Sequence, residues 1–131
     1  MKKIGILNQP ISSVVAGMGH MDTLVIADAG LPIPPETQRI DLALTEGIPT
    51  FLDTLDAVLA EMHVERAIVA EEMLEVSPEL YSAVKDLLDE VPIETVTHLI
   101  LKEQTRSARA VIRTGEFTPY ANVILVAGVV F

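Results

Sequence analysis

Two continuous apolar segments constrain the fold of this chain more than any other feature. They read TLVIAD at residues 23–28 and RAIVA at residues 66–70, and neither run alternates between apolar and polar side chains. A strand with one face in water alternates, whereas a strand covered on both faces is apolar throughout. The two segments therefore predict a sheet that lies between layers of helices.

The rest of the chain supplies helices between such strands. Asn8 and Thr50 are the expected N-caps of two helices, and Pro78 stands in the first turn of a third that continues to about Glu90. A short helix is expected in 99–107, and further strands in 39–44, 92–97, 109–115 and 122–131. The last two strands are expected to pair as a hairpin or to extend an edge. Alternating strands and helices indicate an α/β protein with a largely parallel sheet.

Composition limits the classes of function. The chain has 131 residues, half of them hydrophobic, which suits a single domain over residues 1–131. Its formal net charge is −10, so nucleic acid, a polyanion, is a disfavoured partner. No apolar run reaches the ~18 residues of a membrane helix, and no membrane association is expected. The absence of cysteine excludes disulfides and is compatible with a reducing, cytoplasmic location.

Polar side chains lie where several predicted strands end. Asp28 ends one strand, His98 follows another, and a loop after 109–115 carries Glu116, Thr118, Tyr120 and Asn122. Ligands of open α/β sheets bind outside the carboxyl ends of the strands, so these residues are candidates for a binding site. His20 lies just past the first helix, and spacing alone does not place it at the same edge. Each residue also has a purely structural interpretation, as a turn former, a helix cap or a surface group.

Several known signatures are missing. The segment GMGHMD lacks the third glycine of a dinucleotide-binding loop and follows a helix instead of a strand. No two histidines have the spacing of helical metal ligands and there is no cysteine, so a metal site is not expected. The imidazoles titrate near neutral pH, and the other polar groups donate to or accept from hydroxyls. This inventory suits acid–base chemistry on a small polyol.

Two long segments carry a resemblance to a known family. GHMDTLVIADAGLPIP at 19–34 and VIRTGEFTPYANVILVAGVVF at 111–131 resemble the D-ribose pyranase family, which is related to L-fucose mutarotase. The resemblance extends over essentially the whole chain, more weakly across 71–106. It implies a three-layer α/β/α sandwich, no cofactor and no metal, and a homo-oligomer that is a ring-shaped decamer. It also implies an isomerase of carbohydrate metabolism that interconverts the pyranose and furanose forms of D-ribose.

The resemblance assigns roles to individual residues. It implies that His20 is the proton donor and that the sugar ligands are Asp28, His98, Tyr120, Ala121 and Asn122. Met21 stands where family members often have threonine, which leaves the orientation of the His20 ring open. Two alternatives remain: a mutarotase for another monosaccharide such as L-fucose, and a non-catalytic sugar-binding subunit, which would not need His20.

Overall fold

All six strands of the protein belong to one sheet. The computed structural model describes residues 1–131. The strands are β1 Thr23–Ala27, β2 Gln38–Asp41, β3 Val64–Ala70, β4 Ile93–Val96, β5 Ala110–Arg113 and β6 Val123–Ala127. The helices are α1 Gln9–Ala16, α2 Phe51–Leu59, α3 Glu71–Val76, α4 Pro78–Leu88 and α5 His98–Gln104, and a 3₁₀ turn, Thr105–Ser107, follows the last. No helix among them has the length and apolarity needed to cross a bilayer.

Helices begin where their local sequence predicts. The side chains of Asn8 and Thr50 each accept a backbone N–H of the following turn at 3.0 Å, at the starts of α1 and α2. Such a bond satisfies one of the N–H groups that a helix leaves unpaired at its start. Helix α4 begins at Pro78 as predicted and ends at Leu88. The short helix α3 before it was not predicted.

The strand order explains how distant residues meet. It is β2-β5-β1-β6-β3-β4, and β6 is antiparallel to both of its neighbours, β1 and β3. The other pairs are parallel, so five strands point one way and β6 points the other. The largely parallel sheet is therefore confirmed. The expectation for the last two strands is wrong, because β1 separates β5 from β6, and the fully buried β6 lies inside the sheet.

Helices cover both faces of this sheet. One face carries a cluster of 21 buried residues, to which α2 contributes Phe51 and α4 contributes Val84. The opposite face carries a smaller cluster of 9 buried residues, covered by Leu101 of α5 and by Leu31 of the loop after β1. The predicted three-layer α/β/α sandwich is thus confirmed, with one thick and one thin outer layer.

The central position of β6 makes a prediction about stability. Leu125 lies in the middle of β6 and has no exposed surface. Because strands on both sides prevent the site from collapsing, Leu125→Ala should lower the free energy of unfolding by about 2–5 kcal/mol. Urea denaturation followed by circular dichroism measures the loss. The exposed Val76→Ala serves as the control, with an expected change within about 0.5 kcal/mol. An equally small change at Leu125 would contradict this position of β6.

Candidate functional site

The residues that the sequence proposed for sugar binding gather at one edge of the sheet, called here the carboxyl rim. The rim consists of Asp28 after β1, His98 after β4, and Tyr120, Ala121 and Asn122 before β6. Five strands have their carboxyl ends at this edge, and the reversed β6 has its amino end there. The three separate segments of sequence therefore lie at the edge where open α/β sheets bind ligands.

Asp28 and Asn122 form the best-defined pair of the rim. The backbone N–H of Asp28 donates to Oδ1 of Asn122 at 3.0 Å, and Nδ2 of Asn122 donates to Oδ2 of Asp28 at 2.9 Å. The other carboxylate oxygen of Asp28 accepts the N–H of Gly30 at 2.9 Å. Asn122 has no exposed surface, whereas Asp28 is half-buried. The amide therefore supports the carboxylate, and Asp28 is the member of the pair that reaches the rim surface.

His98 and Tyr120 form an aromatic pair at the same rim. Their ring centroids lie 5.0 Å apart with the planes at 83°. The backbone N–H of His98 donates to Glu72 at 2.9 Å, while its ring Nδ1 is buried without a hydrogen-bond partner. Tyr120 has a φ of 64°, a left-handed conformation that is uncommon for a bulky residue and that clusters at functional sites. The unpaired ring nitrogen and the left-handed backbone make this pair a candidate for contact with a ligand.

The surroundings of His98 favour its neutral form. Burial lowers the pKa of His98 below its ordinary value of 6.5, and the Lys102 ammonium lowers it further. The carboxylates of Glu72 and Asp28 act in the opposite direction but do not outweigh these effects. A neutral imidazole has a free lone pair, so at pH 7 the ring can accept a hydrogen bond or a proton.

Glu116 holds the loop that leads into the rim. One carboxylate oxygen accepts the N–H of Phe51 at 3.0 Å, at the start of α2, and the other accepts the hydroxyl of Thr118 at 2.8 Å. Burial raises the pKa of Glu116, but hydrogen bonds from the N–H of Phe51, from the hydroxyl and N–H of Thr118 and from the N–H of Phe117 outweigh this effect. They bring the pKa below 4.5. The carboxylate is therefore ionised at neutral pH and ties the segment before Tyr120 to α2.

A groove runs beside Asp28 and is lined by Arg113, Glu116 and Thr118. The guanidinium of Arg113 donates to both carboxylate oxygens of Asp41, at 3.2 and 3.1 Å, and to the carbonyl after Asp28 at 3.0 Å. Asp41 thus balances its charge within the chain, and Asp28 and Glu116 add two carboxyl groups to the groove. No group of three or more His, Asp or Glu side chains is arranged to hold a metal ion. The groove suits a neutral ligand with hydroxyl groups.

His20 lies at the opposite edge of the sheet. It precedes β1, whereas Asp28 follows it, and the five residues of β1 alone span about 16 Å. Nε2 of His20 lies 3.0 Å from Oε2 of Glu65, and the His20 side chain is 55 % exposed. His20 does not cap α1, whose C-cap is Gly17. Within one chain, His20 therefore cannot reach a ligand at the carboxyl rim.

Three carboxylates support the candidate residues in ways that the sequence did not reveal. Glu65 contacts His20, Glu72 contacts His98, and Glu116 contacts α2. Their partners lie 45, 26 and 65 residues away along the chain, too far for any helical or strand spacing to connect them. Of the three, only Glu116 could be noticed in the sequence, because it lies in a polar loop after a predicted strand.

The fold is that of an open α/β-sheet protein, and the rim gathers its candidate binding residues at the carboxyl ends of the strands. Residues 1–130 match the model of the RbsD / FucU transport protein family. The chain is 58 % identical to a protein named D-ribose pyranase from Laribacter hongkongensis and 55 % identical to one from Coprothermobacter proteolyticus, over the full length of each chain. The chain belongs to the RbsD / FucU family, and the resemblance seen in its sequence is confirmed.

Solved structures agree with this assignment. Bacillus subtilis RbsD, determined in complex with D-ribose, superposes with a TM-score of 0.97 at 49 % identity, with both chains covered completely. FucU from Bifidobacterium longum superposes with a TM-score of 0.79 at 26 % identity, over 95 % of this chain and 97 % of that one.

The Asp28–Asn122 pair makes a prediction about folding. Asn122→Leu has a similar volume but leaves the buried N–H of Asp28 without its acceptor, so the free energy of unfolding should fall by about 1–3 kcal/mol. The control is Asp28→Asn, which keeps its backbone N–H and one acceptor oxygen for Nδ2 of Asn122, loses only the exposed bond from the N–H of Gly30, and should change stability less. Denaturant midpoints of both variants measure the difference. Equal stability of wild type and Asn122→Leu would contradict the supporting role of this amide.

Proposed function

We propose that this protein is an isomerase that interconverts the pyranose and furanose forms of D-ribose. The observation that carries the proposal is that proteins named D-ribose pyranase match the chain at 51–58 % identity over its whole length. A second support is the similarity to Bacillus subtilis RbsD, which was solved with D-ribose. The hydrogen-bonding groups of the carboxyl rim suit the hydroxyls of such a sugar.

The chemistry needs one proton removed and one delivered. A base takes the proton of the anomeric hydroxyl while an acid protonates the ring oxygen, so the bond from C1 to the ring oxygen breaks and an aldehyde forms. Rotation then presents a different hydroxyl to C1. That hydroxyl attacks and loses its proton, the carbonyl oxygen gains one, and the second ring closes. Acid–base help of this kind contributes typically ~10²–10⁴-fold.

The family resemblance implies that His20 is the acid, and we assign the other roles from the surroundings of each side chain. The neutral His98, whose Nδ1 lacks a partner, is the base or accepts a sugar hydroxyl. Asp28 accepts sugar hydroxyls, and Tyr120 offers a hydroxyl of its own. Ala121 contributes backbone groups at the rim, and Asn122 acts mainly through Asp28, to which its amide is bonded.

Because His20, the proposed acid, lies far from the rim of its own chain, we propose that it comes from a second copy of the chain. Apolar side chains that are exposed in the single chain lie near both halves of the site, namely Leu99 and Ile100 after His98, and Val130 and Phe131 after β6. Burying such surface between copies favours association. We propose a homo-oligomer of single-domain copies, residues 1–131 each, with ten copies as the family resemblance implies. A cytoplasmic location fits a chain without cysteine.

Mutarotation of L-fucose is the less supported alternative. The fucose mutarotase from Streptococcus pneumoniae superposes with a TM-score of 0.82 but shares only 24 % identity with this chain. That level of similarity shows a common fold and carries no argument about the sugar. D-Ribose therefore remains the proposed substrate.

The proposal predicts the behaviour of His20→Ala. Without the acid, exchange between ribopyranose and ribofuranose should slow by roughly 10²–10⁴-fold, while ribose still binds. Saturation transfer between the anomeric protons of D-ribose measures the exchange, and calorimetry measures the binding. The control is His63→Ala, which removes another exposed histidine from the same edge of the sheet, one without a side-chain hydrogen bond.

Each contrary result has a distinct meaning. A His20→Ala variant that exchanges at the wild-type rate would contradict the role of His20 as the acid. Wild-type protein that binds ribose without accelerating exchange would be a sugar-binding subunit. Faster exchange with L-fucose than with D-ribose would identify a mutarotase of another sugar. Light scattering that returned the mass of a single chain would contradict the assembly.

A further inference from the structure

A carboxylate lies against the proposed acid. Oε2 of Glu65 is 3.0 Å from Nε2 of His20, with the two side chains 36 % and 55 % exposed. An ionised carboxylate only accepts hydrogen bonds, so Nε2 must carry the hydrogen in this contact. A neutral imidazole carries hydrogen on only one of its two nitrogens, so a hydrogen on Nε2 leaves Nδ1 with a free lone pair. Nδ1 is therefore the nitrogen that remains free to exchange a proton.

A β-bulge directs Glu65 toward this contact. From Val64 to Arg66, β3 advances two residues while its partner β6 advances one, so Glu65 has no opposing residue. Bulges re-aim a side chain and are frequent next to active sites. Gly128, just past β6, lets the chain pass close by, since a Cβ at that position would lie 2.7 Å from Cδ2 of His63 and 3.1 Å from Cβ of Glu65. The placement of Glu65 thus depends on two departures from regular sheet structure.

The turn that carries His20 is held on its other side as well. Met21 has a φ of 72°, and its N–H donates to the carbonyl of the last residue of β6 at 2.9 Å. The carboxylate of Asp22 accepts the N–H of Gly19 at 2.8 Å. These bonds fix the backbone on both sides of His20. The freedom that remains is rotation of the imidazole itself, and the carboxylate contact restricts it.

From these contacts we propose that Glu65 is a positioning residue for the reaction. It holds the His20 imidazole in the Nε2–H tautomer and directs Nδ1 to the sugar. When the imidazole is doubly protonated, Nδ1 gives its proton to the ring oxygen of the sugar. The inference rests on the proposed function of His20 as the acid. Glu65 does not touch the sugar, so its loss should affect turnover and leave binding largely unchanged.

The test compares Glu65→Ala and Glu65→Gln, each alone and combined with His20→Ala. Glu65→Ala should lower kcat for exchange by roughly 10-fold to 100-fold, the range found for groups that orient metal-bound histidines, with KM nearly unchanged. Glu65→Gln keeps an acceptor for Nε2–H and should recover part of the loss. In the His20→Ala background, Glu65→Ala should have no further effect, because the two residues act as a unit. Glu94→Gln is the matched control, because it removes a carboxylate from a different ion pair, the one with Arg66 between β3 and β4.

A spectroscopic measurement tests the same idea without turnover. The chain has three histidines, so the ring signals of ¹⁵N-histidine-labelled protein can be assigned by substitution. Wild-type His20 should show the Nε2–H tautomer, and Glu65→Ala should show a mixture. Normal kcat in Glu65→Ala beside a slow His20→Ala overturns the inference and leaves the proposed function standing. Normal kcat in His20→Ala overturns both, and an equal loss from Glu65→Ala with or without His20 overturns the positioning role.

Discussion

The antiparallel direction of β6 between β1 and β3 is the constraint on which the site depends. It brings Asn122, at the amino end of β6, to the edge where β1 ends, and the buried amide can then bond both the N–H and the carboxylate of Asp28. A parallel β6 would have placed Asn122 at the other edge and left Asp28 unsupported. The same reversal carries the chain past Glu65 at the far edge, where Gly128 follows β6. The direction of β6 therefore determines which residues lie at both edges of the sheet.

Local features of the sequence were enough to identify most elements. The unbroken apolar run at 24–27 predicted a buried strand. Asn8 and Thr50 predicted helix starts, because capping depends on neighbouring residues only. Helix α3 escaped detection since it has six residues and its N-cap, Ala70, makes no side-chain bond. The position of β6 was missed for a different reason. An apolar strand must be buried, but burial does not determine which strands flank it.

The residues of the candidate site likewise include some that the sequence could locate and some that it could not. Asp28, His98, Tyr120 and Asn122 were identified because they lie at strand ends, which a sequence pattern can locate, whereas only the resemblance named Ala121. The supporting carboxylates were not identified, since their contacts join residues that only the folded chain brings together. The edge occupied by His20 was also not determined by spacing. The question raised by Met21, how the neighbouring imidazole is oriented, has an answer in the contact with Glu65.

The separation of His20 from the carboxyl rim has a direct consequence for the proposed activity. In the proposed site, one copy binds the sugar and another supplies the acid, so activity depends on assembly. Rigid supports hold each half: the Asp28–Asn122 pair and Glu116 at the rim, and the bulged β3 at the other edge. Positioning of this kind matters because proton transfer requires the donor within hydrogen-bond reach of the ring oxygen.

Complementation between two inactive variants tests this claim most directly. One chain carries His20→Ala, the other carries Asp28→Ala and His98→Ala, and the two are co-expressed with different tags and purified as mixed oligomers. If the site combines two copies, random pairing should restore roughly a quarter of the wild-type exchange rate per chain, because a quarter of the interfaces unite an intact His20 with an intact rim. Mixed oligomers that exchange ribose no faster than the separate variants would contradict a site shared between copies.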